Sequence, residues 1–355
     1  MACDRSCLRL RSRNLNAHYH VLQLWFAIVI IVRSPLRVSF GGGGTDLPSY
    51  YRKRGGFVVA AAITRYVYVT ISEAFWPQIR LKYSKLEEVE SVDQIQHPII
   101  REAMRLTGVT GPYLDIVSLS DIPAGTGLGS SGSFTTALLR ALYGVSRRFV
   151  SPEDLAEQAC HIEIDMLGQA VGKQDQYISS FGGIASFEFS PDDRVTVNPL
   201  AIPHETLANL EDNLLLFFTG SSRSASEILA DQDTRSRGDS HDILENLDSI
   251  KRLGFESRDA LVSGDLPRFA ALMAEHWEHK KQRSPGITSR RIDDLYELAR
   301  SNGALAGKLV GAGGGGFLML YAEDKTRVRR VMRGAGLREV RFQFDFSGAT
   351  TIVQS

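Results

Sequence analysis

The sequence predicts an α+β protein of two domains, and three observations carry the prediction. At 355 residues the chain exceeds what one hydrophobic core ordinarily organises. Strand-like runs of β-branched residues alternate with helical patterns in both halves. Three glycine-rich breaks, at 41–44, 125–132 and 311–316, each adjoin such regular structure.

Residues 32–40 read as a strand, and the β-branched stretch 57–71 after the first break as a hairpin or paired strands. A polar, acidic segment at 85–96 precedes a helix near 98–106, and 113–119 returns to strand. Directly after the second break Phe134, Ala137, Leu138, Ala141 and Leu142 fall at i, i+3, i+4, i+7 and i+8, the apolar stripe of a helix. Ser151-Pro152-Glu153 opens another helix, with serine as N-cap, proline in the first turn and the stripe Leu155, Ala159, Ile162, Met166. The polar, proline-containing stretch 191–203 divides the chain into units 28–204 and 205–355. In the second, strands at 213–218, 317–322 and 339–346 mix with helices near 224–232, 241–262, 265–281, 289–301 and 325–334, a split βαβ, ferredoxin-like arrangement.

Composition narrows the function. Basic and acidic residues balance at 41 each, so no net field draws the chain to nucleic acid or an anionic membrane, and a small-molecule partner is expected. Cys3, Cys7 and Cys160 make neither a disulfide framework nor a zinc cluster, which suits a reducing, cytoplasmic setting. Arg5, Arg9, Arg11 and Arg13 precede an apolar run at 21–32 that resembles a signal peptide. That run is shorter than the ~20 residues of a spanning helix and has no small-x-small cleavage site, so 1–27 is read as an extension outside the core.

The second break, Pro123-Ala124-Gly125-Thr126-Gly127-Leu128-Gly129-Ser130-Ser131-Gly132-Ser133, is the sharpest chemical signal. Glycines let a backbone approach an anion, and the following helix adds unpaired N–H groups and the positive end of its dipole. No Gly-Lys-Ser/Thr closes it as a Walker loop, and no acidic residue stands where a dinucleotide fold needs one. Taken alone, the segment is equally a serine-capped helix after a flexible turn. Phosphoryl transfer would further need magnesium and a carboxylate near the acceptor hydroxyl. Glu163, at the edge of the buried stripe, and Asp175, in the polar turn Gly172-Lys173-Gln174-Asp175-Gln176, fit; Asp154 and Asp165 point elsewhere and read as solvated.

These pieces occur together in an order that resembles the GHMP kinases. The resemblance spans about 30–350 and rests on Pro35-Leu36-Arg37-Val38-Ser39-Phe40-Gly41-Gly42-Gly43-Gly44-Thr45-Asp46, the 123–131 cradle, and Lys308-Leu309-Val310-Gly311-Ala312-Gly313-Gly314-Gly315-Gly316. It implies a two-domain fold, with a first domain like domain 2 of ribosomal protein S5 and a ferredoxin-like second. It further implies ATP in the cradle, Mg2+ on Ser131 and Glu163, Asp175 as base, and Arg37 beside Asp175 and the transferred phosphoryl. Lys173 competes with Arg37 for that role.

The first motif bears on the acceptor. Gly43 and Gly44 stand where galactokinase-like members carry glutamate and histidine, and Gly-Gly-Gly-Gly-Thr-Asp-Leu-Pro is similar to the subgroup acting on an anomeric hydroxyl, the heptose 7-phosphate kinases and fucokinases. Gly43, Gly44, Thr45 and Asp46 would then meet the sugar, with Gly313 and Gly314 of the third motif. A phosphorylated sugar needs a second cationic pocket; the candidates are Arg223, Lys280 and Arg283, although Lys280, Lys281 and Arg283 also suit a helix C-terminus. His276, on an apolar face, is read as structural. A non-catalytic sugar and nucleotide sensor on the same fold stays open, as does a homodimer.

Overall fold

The computed structural model describes residues 28–220, 225–238, 241–284 and 286–355. The extension 1–27 and Arg223 lie outside these. In chain order, β1 (Val29–Gly41) enters the first glycine turn, α1 (Pro48–Arg54) follows, and β2 (Gly56–Glu73) returns antiparallel to β1. β3 (Ile79–Lys82), β4 (Leu86–Val89), α2 (Pro98–Thr107) and β5 (Leu114–Ser120) come next, then the second glycine loop and α3 (Ser130–Val145). α4 (Pro152–Cys160), α5 (Gln174–Phe181), β6 (Ile184–Phe189) and β7 (Val195–Pro199) complete the first module. The remainder holds α6 (His204–Asn213), β8 (Leu214–Phe218), α7 (Ala225–Arg237), α8 (His241–Ser263), α9 (Leu266–Arg283) and α10 (Arg290–Arg300). β9 (Ala306–Leu309), β10 (Phe317–Tyr321), α11 (Lys325–Gly334), β11 (Arg338–Glu339) and β12 (Thr350–Gln354) end the chain.

β2 organises the first sheet because it is long enough to serve two neighbours besides β1. Its first half pairs with β6 and its second with β5. Phe57 to Ile63 are all buried, as befits a strand covered on both faces, and the run is accordingly apolar rather than alternating. The stripe of α3 lies on this sheet, with Ala137, Leu138, Ala141 and Leu142 wholly buried among Val32, Val69 and Ile71. The second sheet has the order β11-β8-β10-β9, all antiparallel, and with its helices forms the expected ferredoxin-like module.

Several expectations need correction. β12 pairs with β1, not with the second sheet, so the end of unit 205–355 belongs structurally to the first module. The stretch 191–203 carries regular structure, since β7 within it pairs with β6. Of the strand expected at 339–346 only Glu339 pairs with β8, next to Arg338 just before it; Phe344 crosses to bridge Ile63. Met166 is exposed because α4 ends at Cys160 and the chain widens into a π-type turn, His161–Met166. One core runs through both modules: Leu36, Val38, Phe40 and Phe57 pack with Leu214, Leu216, Phe269, Met273 and Phe317, and the Phe40 and Phe269 rings meet edge to face at 5.3 Å. No helix among the described residues is long and apolar enough to cross a membrane.

Candidate active site

The site is built where β1, the second glycine loop and α5 converge. Pro35 cannot donate to the ladder, and the β1/β2 register shifts between Pro35 and Leu36. Just beyond that irregularity Arg37 reaches the loop: its backbone N–H donates to Leu128 O at 2.9 Å and its Nη1 to Gly127 O at 2.6 Å. The same guanidinium grips Asp175 with two bonds, Nε to Oδ1 at 2.6 Å and Nη2 to Oδ2 at 3.0 Å. Arg37 is buried, and the Asp175 side chain keeps 25% of its surface open.

Glycine is required where the loop meets these groups. A Cβ on Gly132 would stand 2.8 Å from Asp175 Cβ, and one on Gly127, at φ 87°, would stand 2.5 Å from Val310 O. The second and third motifs thus touch backbone to backbone. Gly129, at φ 77°, precedes α3 without a side-chain cap, so the first-turn N–H groups remain available to an anion. Leu128 is buried, and Ser133 is turned away, donating to Pro35 O at 2.7 Å, so it braces the cradle rather than reaching a ligand. Pro123 accepts from Thr126 Oγ1 and tightens the loop's start. Gly125 has open space around it, and Ser130 and Ser131 open the helix.

Glu163 sits in the π-type turn, marked by the Leu167 N–H bond to Ile162 O. The wider turn carries it inward, where its carboxylate accepts from Ser131 Oγ and, at 3.0 Å, from Gln176 Nε2. Burial raises its pKa, and the Asp175 charge adds to this. Of the run 172–176, expected as a turn, Gln174 to Gln176 open α5, so that Asp175 and Gln176 follow one another on a rigid element. Two hard oxygens, one on a buried carboxylate that a cation would relieve, suit Mg2+, which keeps waters and phosphate oxygens as its other ligands. Among the described residues no group of three acidic, histidine or cysteine side chains could hold a metal unaided.

Asp46 is buried and accepts from Gly44 N at 3.0 Å, Gln174 N at 3.2 Å and Gln174 Nε2 at 3.0 Å. Burial first, then the Asp175 charge, raise its pKa. Gly43, Gly44 and Asp46 line a cleft together with Arg37 and Asp175. Thr45 does not: its hydroxyl donates to Gly42 O and Phe57 O and accepts from Phe57 N, locking the turn onto β2. Lys173 also turns away. Its ammonium is committed to Asp193 O at 2.9 Å and to the Glu157 carboxylate at 3.3 Å, which removes it from phosphoryl transfer. Gly313 and Gly314 pack on Ile287, Gly314 N donating to Ile287 O at 2.8 Å, and Gly311 and Ala312 line the cleft instead.

Lys280 and Arg283 face the cleft, buried, rather than capping α9; Lys281 alone stays at the surface, paired with Glu278. Sequence reasoning left Lys308, Gln232 and Ser39 unassigned and took His276 as structural, yet all four line the same cleft. Lys308 stood within the third motif, which was the available signal. His276 offered none, since a buried histidine on an apolar face reads alike in either role.

An anion cradle, a carboxylate clamped beside it by arginine, and a paired hydroxyl and carboxylate for a divalent cation define an ATP-dependent phosphotransferase. The comparisons with known proteins agree: residues 97–183 match the GHMP kinases N terminal domain and 257–336 the GHMP kinases C terminal. Both domains of the GHMP kinases are thus matched in this chain, one in each half. It is 29% identical to the D-glycero-alpha-D-manno-heptose 7-phosphate kinase of Campylobacter jejuni, over 90% of this chain and 96% of that one. It is 27% identical to the bifunctional fucokinase/GDP-fucose pyrophosphorylase of Arabidopsis thaliana over 84% of this chain but 30% of that protein. The crystal structure of a D-glycero-D-manno-heptose 1-phosphate kinase from Bacteroides thetaiotaomicron superposes with a TM-score of 0.76 at 28% identity, covering 91% of this chain and 99% of that one.

Proposed function

We propose that this chain is a sugar kinase that transfers the γ-phosphoryl group of ATP to the anomeric C1 hydroxyl of D-glycero-D-manno-heptose 7-phosphate, giving the 1,7-bisphosphate. The observation that carries the reading is the two-bond clamp of Arg37 on Asp175 against the glycine cradle. The likeness to the Campylobacter heptose 7-phosphate kinase over nearly its whole length supports the choice of acceptor.

In this reading the first-turn amides of α3 and the loop backbone hold the triphosphate, and Asp46 accepts hydrogen bonds from sugar hydroxyls. Ser131 and Glu163 would hold Mg2+, which neutralises charge on the phosphates when bound. The anomeric oxygen attacks the γ-phosphorus, the bond to the β-phosphate bridging oxygen breaks, and the hydroxyl proton passes to Asp175. Arg37 orients Asp175 and offsets charge on the transferred oxygens. An anomeric hydroxyl is more acidic than an ordinary alcohol, so positioning and neutralisation carry more of the rate than proton abstraction.

A fucokinase-type acceptor is the second reading, favoured by the fucokinase relatives. ADP release measured with a panel of free and phosphorylated sugars decides between them. Turnover of heptose 7-phosphate above all free hexoses is expected. Preference for free fucose would replace the first reading with the second, and nucleotide binding without turnover of any sugar would make the chain a sensor.

A further inference from the structure

Four residues that line the cleft take no part in phosphoryl transfer as described above. His276, Lys280 and Arg283 recur at helical spacing on one face of α9, and Lys308 joins them from the adjoining β9. All four are nearly completely buried. Lys280 Nζ donates to Leu309 O at 2.8 Å and to Gly311 O, Lys308 Nζ to Phe40 O at 2.9 Å, and Arg283 Nη1 to Gly43 O at 2.9 Å. An ammonium has three N–H donors, so one remains on Lys280 and two on Lys308. Arg283 Nε, both ring nitrogens of His276, Gln232 Nε2 and Ser39 Oγ line the same cleft, buried and without a partner among the described residues.

The charges do not balance either. Arg37 is matched by Asp175, and Arg283 is the cation that Asp46 favours. Among the described residues Lys280 and Lys308 bond only carbonyl oxygens; the charges acting on Lys280 are Arg283, Lys308 and Arg37, and those on Lys308 are Arg283 and Arg37. Burial, then those cations, hold Lys280 well below its ordinary pKa and bring Lys308 down to about 7. Two buried ammonium groups without a carboxylate, among unsatisfied donors, are costly unless an anion completes them. A phosphate monoester, dianionic above its second pKa of about 6 and rich in acceptors, matches both the charge and the donor count.

We propose that Lys280, Lys308, Arg283 and His276 form the subsite for a phosphate group that the acceptor already carries, at the end of the sugar away from the reacting hydroxyl. This rests on the reading that the acceptor lies between Asp46 and Asp175, and it makes the enzyme selective for a phosphorylated sugar.

The test measures ADP release with heptose 7-phosphate and with the unphosphorylated heptose, for the wild-type chain and for Lys308→Met and Lys280→Met. Each substitution is expected to lower the ratio of the two kcat/KM values by about tenfold or more, the effect of one charged hydrogen bond, while KM for ATP stays within a few-fold. In the wild type, which needs no variant to fold, inorganic phosphate is expected to compete with the sugar and not with ATP. An unchanged ratio, a rise confined to the ATP KM, or phosphate competing with ATP would overturn the subsite. Equal use of both sugars sinks the subsite and leaves the kinase reading standing, whereas no turnover with any sugar sinks the kinase reading and the subsite with it.

Discussion

Arg37 and Asp175, 138 residues apart, share two hydrogen bonds at 2.6 and 3.0 Å, and the same guanidinium also holds the carbonyl of Gly127 in the anion cradle. One cation therefore fixes both the carboxylate and the loop, so the distance from base to nucleotide is set by a single side chain.

Asp175→Asn keeps the shape and removes the charge. Its kcat is expected to fall by about 10²- to 10⁴-fold, the usual contribution of a general base, with nucleotide affinity nearly unchanged. Single-turnover rates together with a fluorescent-nucleotide titration check this. Near-normal turnover would remove Asp175 from the chemistry.

Gly132→Ala tests the contact from the other side. A Cβ there meets Asp175 Cβ at 2.8 Å and Gln176 N at 3.0 Å, both on the α5 backbone or close to it, so α5 must shift. A displacement approaching 1 Å costs about 10²-fold in rate. The expected result is a large loss of kcat with a protein that still melts cooperatively; an unaffected kcat would show that the packing at Gly132 has no bearing on the reaction.

Glu163→Gln should separate metal use from stability. The Glu163 pKa is raised above 4.5 in the folded state, so the native protein binds more protons there than the unfolded one and loses stability as pH rises from about 4.5 through the raised value. The amide removes that loss. Without magnesium, the variant is expected to melt higher than the wild type at neutral pH, while the Mg2+ concentration needed for half-maximal activity rises. Melting curves across pH and a magnesium titration read the two effects; an unaltered magnesium requirement would exclude Glu163 from the metal site.

Lys173→Met should behave as a stability mutant. Its ammonium joins Glu157 of α4 to the Asp193 carbonyl, and its removal strips both of a buried donor. A loss of about 1–3 kcal/mol is expected, with the rate per folded molecule within a few-fold of normal. A rate loss comparable to that of Asp175→Asn, at unchanged stability, would return Lys173 to the reaction.

Much of this was legible in the sequence because it depends on local signals. The apolar stripe of α3 predicted its buried face, and the glycines predicted where backbone approaches backbone. What stayed hidden depends on direction. Thr45, Lys173 and Ser133 stand within the right motifs but point into the packing, because a turn or a first helical residue can aim a side chain either way. Lys280 and Arg283 suited an exposed helix end equally well until β9 covered the first and the glycine turn after β1 the second. The pairing of β12 with β1 bridges more than 300 residues and leaves no mark in the pattern of either strand.

The apolar interior that joins the two modules, with Phe40 of β1 set against Phe269 of α9, has a consequence for how the molecule comes apart. Each half also has an interior of its own, yet the shared one couples them, so heat or urea should dismantle both in a single cooperative step. Thinning that seam, as Phe269→Ala would, should weaken grip on the nucleotide and on the sugar together, although residue 269 touches neither.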